Sequence, residues 1–113
     1  MTVLLPYIWG FFLWLLFFLF QAQGISGGDS GDLVTASYLG GVPHPPGYPL
    51  YTALGFIVSH IPISTVAWRM SLLSSLPHAV TAALVFLFVW RLTGKLVSGI
   101  FASLVLVGNY LFF

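Results

Sequence analysis

The chain has 113 residues, of which 59% are hydrophobic and 4% charged, and its mean hydropathy is +1.06. A water-soluble domain covers its surface with about a quarter charged residues, so this composition excludes one and makes lipid the principal solvent. A net charge of +1 with no basic run excludes a nucleic-acid binder, and the lack of cysteine excludes disulfides and thiolate metal sites within the segment.

The first apolar run, residues 3–20, carries no charge and as a helix measures about 27 Å, close to the ~30 Å hydrocarbon layer. Pro6 lies near its start, where proline is tolerated. Ala22-Gln23-Gly24 resembles a signal-peptidase site, but the run exceeds the usual ~7–15 residues and no Lys or Arg precedes it. A retained anchor is therefore expected. A second span is expected at 64–90, with a proline-induced kink at Pro77 beside Ser71, Ser74, Ser75 and His78. A third, 96–113, stops on Phe113 with no polar flank, which is the pattern of an N-terminal fragment of a longer protein. Arg91 and Lys95 in the turn between the last two spans make that turn cytoplasmic. The N-terminus is then cytoplasmic as well, and the loop 21–63 faces the periplasm or a lumen.

That loop holds both acidic residues of the chain, Asp29 and Asp32, and two of its three histidines, His44 and His60. Ser30 to Leu39 reads as a short helix, with Asp29 or Ser30 as N-cap, Asp32 in the first turn and Gly40-Gly41 as the stop. Residues 42–47, VPHPPG, must be extended or turning, because a residue before proline is driven from the α region. A second helix of about a dozen residues then runs from Tyr48 or Pro49 to His60, too short to span and suited to the interface.

Two readings of the acidic pair stand side by side. Asp29 and Asp32 can cap the helix that follows, or a carboxylate can serve as general base or metal ligand, with His44 as the only nearby third ligand. His44, set between two prolines, is a hydrogen-bonded turn residue or an aimed side chain. His60 belongs at the interface and His78 inside the bundle. Arg69 either snorkels to headgroup phosphates or waits as an intramembrane cation for a phosphate.

Asp29-Ser30-Gly31-Asp32, then His44-Pro45-Pro46-Gly47-Tyr48-Pro49-Leu50-Tyr51, then Arg69-Met70-Ser71-Leu72-Leu73-Ser74, resemble the start of the protein O-mannosyltransferase-like membrane family, the transmembrane protein 260-like group of the GT-C glycosyltransferase superfamily. The family often has Glu where this chain has Asp32. The resemblance implies an all-α integral membrane fold, the N-terminal part of a GT-C domain spanning residues 1–113, with three transmembrane helices and two interfacial helices in the first outer loop. It implies a glycosyltransferase that moves a sugar from a polyprenyl-phosphate donor, such as dolichyl-phosphate mannose, to a hydroxyl on an acceptor protein or glycan at the outer face, in the bacterial inner membrane or the endoplasmic reticulum. Its catalytic residues would be Asp29, as base, and Asp32. Arg69 would hold the lipid phosphate, His44 would assist either partner, and Tyr48 and Tyr51 would stack on sugar or isoprenoid. The scheme needs no metal and no cofactor beyond the lipid-phosphate sugar. Its partners are membrane lipid, donor and acceptor, with no nucleic acid. The competing readings are a non-catalytic membrane subunit and a transporter fragment.

Overall fold

The computed structural model describes residues 3–25 and 27–109. Among these the chain is entirely helical outside its loops: α1 (Leu5–Phe20), α2 (Ser30–Leu39), α3 (Pro49–Ser59), α4 (Val66–Thr93) and α5 (Leu96–Val107). Among the described residues only α4, with 28 residues, is long and apolar enough to cross a membrane. The 16 residues of α1 and 12 of α5 are apolar but shorter. At 1.5 Å per residue they measure about 24 and 18 Å, short of the ~30 Å hydrocarbon layer. The end of the expected third span, residues 110–113, lies outside the described residues.

Helix limits differ from the sequence expectation for local reasons. Val3 and Leu4 form a turn before α1. The helix α4 begins later than residue 64, because Ser64 is left-handed (φ 52°) and Thr65 caps: its Oγ1 accepts from the Trp68 N–H at 3.1 Å and its carbonyl accepts the Arg69 N–H. It also runs past Trp90 through Arg91, Leu92 and Thr93. Gly94 ends it in the left-handed region, donating its N–H to the Trp90 carbonyl at 2.8 Å. The turn between α4 and α5 thus shrinks to Gly94 and Lys95. Through Pro77 the helix continues unbroken, with Thr81 Oγ1 donating to the Pro77 carbonyl (2.8 Å) and Ser71 Oγ to that of Ala67 (3.0 Å).

The chain forms two compact units, one of residues up to Leu19 and from Ser75 onward, the other of residues 20–74. In the first, Leu13, Phe17, Ala79 and Ala82 make a core joined by Trp9, Trp14, Leu16 and Val107. Small residues set its helix spacing. A Cβ on Gly10 would lie 2.9 Å from Ala83 Cβ, and one on Gly99 would lie 2.7 Å from the Phe86 carbonyl oxygen. Trp9 Nε1 donates to Ser103 Oγ at 2.8 Å, tying α1 to α5 where apolar contact alone gives little directionality. His78 packs its ring edge-on to Phe17 (centroids 6.0 Å).

The second unit is the loop pair α2 and α3 with the first turns of α4. Here α2 and α3 pack against each other at Gly55, where no side chain fits. An added Cβ would meet Ser37 Oγ at 2.6 Å and Met70 Cε at 2.7 Å. Ser37, Ser59 and Met70 are fully buried around this crossing.

Candidate functional site

The turn between α2 and α3 brings the acidic pair and the histidine together. Gly40 is left-handed (φ 69°), and with the Gly41 N–H donating to the Ala36 carbonyl (2.8 Å) it ends α2 and reverses the chain. Pro43 is buried, and residues 44–47 form a turn closed by the Gly47 N–H donating to the His44 carbonyl at 2.9 Å, with a cis bond between Pro45 and Pro46. The return path lays His44 over the N-terminus of α2.

There, one oxygen of Asp32 takes two hydrogen bonds from His44: from the backbone N–H at 2.9 Å and from Nδ1 at 2.7 Å. A carboxylate is an acceptor only, so Nδ1 carries the proton. On the far side of the ring, Nε2 lies 3.5 Å from Asp29 Oδ2, a Coulombic distance. The imidazole is thus bracketed by two carboxylates. The backbone and side-chain hydrogen bonds from His44 hold Asp32 below the ordinary carboxylate value. The Asp32 hydrogen bond raises His44 above its ordinary value, against desolvation and with lesser help from the charges of Asp29 and Asp32. The Tyr48 ring meets His44 edge-on (5.7 Å), held by a left-handed backbone (φ 41°) whose carbonyl starts α3 by accepting the Thr52 N–H.

This geometry corrects the capping reading. Asp29 occupies the N-cap position, but its backbone is helical (φ −81°, ψ 0°) and its side chain makes no cap hydrogen bond. Side-chain capping requires an extended N-cap backbone. Asp32 is spent on His44, not on its own helix. The two carboxylates are unequal: the Asp29 side chain is 69% exposed, and Asp32 is the more enclosed. Among the described residues no group of three His, Asp or Glu side chains is disposed to hold a metal ion.

Tyr51 and Arg69 stand apart from this cluster. Tyr51 is half-buried on α3 and makes no hydrogen bond or ring contact among the described residues. Arg69 is buried and does not snorkel: its Nη1 donates to the carbonyls of Ile61 and Ile63 (3.0 Å to the latter), and its Nε has no partner among the described residues. The reason is local. The carbonyls of Ile61 and Ile63 point toward α4, and a guanidinium one helical turn past Thr65 is the donor in reach.

A second histidine cluster was not foreseen. His60 stacks face to face on Tyr38 (centroids 5.0 Å, 5° between planes), touches Phe56, and presents Nδ1 to the Phe56 carbonyl at 2.7 Å. Sequence signals such an i to i+4 helix-end contact, but the Tyr38 partner comes from another helix and only pairing of α2 with α3 supplies it.

The family described as protein O-mannosyl-transferase TMEM260 N-terminal domain matches residues 29–106, a stretch that begins at Asp29 and contains every candidate residue above. Two curated relatives are the protein O-mannosyl-transferase TMEM260 of Mus musculus, 46% identical over 82 residues, and the tmem260 protein of the same description from Dictyostelium discoideum, 45% identical over 73. These alignments cover 72% and 62% of this chain but 12% and 9% of the relatives, so the chain spans about a tenth of their length. No solved structure matches it.

Proposed function

This chain belongs to the protein O-mannosyl-transferase TMEM260 N-terminal domain family, and from that membership we propose that the protein carrying it transfers mannose from a polyprenyl-phosphate donor to the hydroxyl of an acceptor, a protein Ser or Thr, at the outer or lumenal membrane face. Residues 3–20, 64–90 and 96–113 cross the bilayer as the first three spans of a GT-C-type domain in this reading. Helices α2 and α3 lie in the interface.

The observation that supports it best is the inequality of the carboxylates. Asp32 is occupied by two hydrogen bonds from His44, while Asp29 is open to solvent beside the same ring. Asp32 therefore acts as the positioning residue for His44, and Asp29 is the carboxylate able to receive an acceptor. In the reaction the Asp29 carboxylate takes the proton of the incoming hydroxyl. The acceptor oxygen bonds to the anomeric carbon as the bond from that carbon to the phosphate oxygen breaks, with inversion. The polyprenyl phosphate leaves with the electron pair, and as a good leaving group it needs no protonation. Electrostatic stabilisation of that phosphate falls to cations: His44, whose protonated form its two carboxylates favour, and Arg69, once its guanidinium turns from the Ile61 and Ile63 carbonyls. Tyr48 and Tyr51 flank α3 where sugar or isoprenoid would pass.

The test uses the full-length protein in membranes supplied with radiolabelled polyprenyl-phosphate mannose. Loss of a general base costs about 10²–10⁴-fold, so Asp29→Asn lowers label transfer by that factor at matched expression while donor binding persists. Near-normal transfer by Asp29→Asn overturns the assignment of the base. Absence of transfer by the parent overturns mannosyl transfer itself and favours a non-catalytic subunit.

A further inference from the structure

The unit built from α1, α4 and α5 contains a feature that the transferase reading leaves unused. Beside the tight Gly10–Ala83 crossing, α1 and α4 leave a groove of about 440 Å³. That volume lies within the ~300–1,000 Å³ range of ligand pockets. Tyr7, Phe11 and Trp14 line it from α1, and Val80 and Leu84 from α4. The wall is apolar except at one end, where Arg91 enters it. Tyr7, Phe11, Val80 and Leu84 are each at least half exposed, so the groove is open along its side.

Charge selects the occupant. The chain has two acidic residues, and both face His44 in the other unit. Arg91, and Lys95 in the turn just beyond it, therefore have no carboxylate partner, and neither makes a side-chain hydrogen bond among the described residues. An apolar slot between membrane helices with the uncompensated Arg91 cation at its mouth is complementary to a molecule that is one long hydrocarbon chain under one negative charge. A neutral apolar helix would fill the slot but leave the guanidinium unmet. A zwitterionic lipid would bring its own cation to the mouth.

We infer that this groove binds an anionic phospholipid, with an acyl chain along Phe11, Val80 and Leu84 and the phosphate on Arg91. This site is independent of the Asp29–Asp32–His44 cluster and of whether the protein is a mannosyltransferase.

The experiment places benzoylphenylalanine at Val80, and in a second protein at Leu84, in the full-length protein. Each is reconstituted in phosphatidylcholine vesicles carrying a minor fraction of phosphatidylglycerol. After irradiation the captured lipid is identified by mass spectrometry. The same probe at Phe101, exposed on α5, reports the bulk lipid ratio. The expected result is phosphatidylglycerol enriched about fivefold over its bulk share at the groove positions, the factor one cation contributes near an anionic headgroup. Arg91→Gln returns the captured ratio to the bulk value, and Arg91→Lys keeps most of the enrichment. Capture at the bulk ratio in the parent would overturn the inference, since the groove would then hold ordinary solvating lipid. So would enrichment that survives Arg91→Gln, or crosslinks into peptide, which would show another protein segment covering the groove.

Discussion

Gly55→Ala tests the packing that brings α2 and α3 together under the candidate site. Two terms oppose each other. Replacing a mid-helix glycine by alanine favours α3 by about 1 kcal/mol. The new methyl group, however, lands 2.6 Å from Ser37 Oγ, 2.7 Å from Met70 Cε and 2.8 Å from Ser37 Cβ. The Met70 methyl ends a flexible chain and can rotate away. Ser37 Cβ is rooted on α2 and fully buried, so α2 itself must move. Overpacking of this kind costs about 1–3 kcal/mol. Because Ser37 cannot yield, the upper part of that range applies, about 2–3 kcal/mol; less the propensity gain, the net loss is about 1–2 kcal/mol, which raises the population of the locally opened state about 5–30-fold. Hydrogen-exchange mass spectrometry of the full-length protein reads this directly: α2 and α3 amides should exchange faster by that factor, while α5 peptides serve as the internal reference. Adding Ser37→Gly removes both clashing atoms, and the double variant should lose less than the two single changes together. Unchanged or slower exchange in Gly55→Ala would refute the reasoning, because propensity would then have outweighed the contact.

The remaining predictions concern charge and spacing. The imidazole of His44 should titrate with a midpoint above its ordinary 6.5, followed by NMR of labelled histidine, and Asp32→Asn should lower it. The sign follows from linkage: the raised His44 value contributes stability that is full below pH 6.5 and fades as pH rises through the raised midpoint. The lowered Asp32 value contributes stability present above 3.8 and lost as pH falls below it. The loop between α2 and α3 should therefore resist proteolysis best between about pH 4 and 6.5, and a His44 midpoint at or below 6.5 would contradict the bracketed geometry. Arg69→Met removes a charged donor from the Ile61 and Ile63 carbonyls and should destabilise residues 61–64 by about 1.5–3 kcal/mol, seen as faster exchange there. Gly99→Val drives a side chain against the Phe86 carbonyl oxygen, 2.7 Å from the ideal Cβ, and backbone cannot rotate away. It should lower the thermal midpoint of the protein in detergent, whereas Val97→Ala at an exposed α5 position should not.

The sequence by itself determined the helical class, the limits of α2 and α3 to within a residue, and the confinement of both carboxylates and His44 to one loop. Those features are local: glycine at a left-handed stop, proline at a first turn, and the depletion of charge everywhere else. The family, too, was legible from the Asp29–Asp32 and His44–Tyr51 motifs. Tertiary structure alone decided which partner each charge took. Asp29 stands at the N-cap position, yet its backbone is helical and its side chain makes no cap hydrogen bond. Asp32 and His44 are twelve residues apart in sequence, and only the closed turn at 44–47 makes them a 2.7 Å pair. Arg69 read as a cation bound for lipid headgroups or a phosphate, but the carbonyls of Ile61 and Ile63 take its Nη1. Periodicity reports which face of a helix is apolar. It carries no information on which polar group another segment will bring to meet it, and in a chain with five charged side chains those meetings define the site.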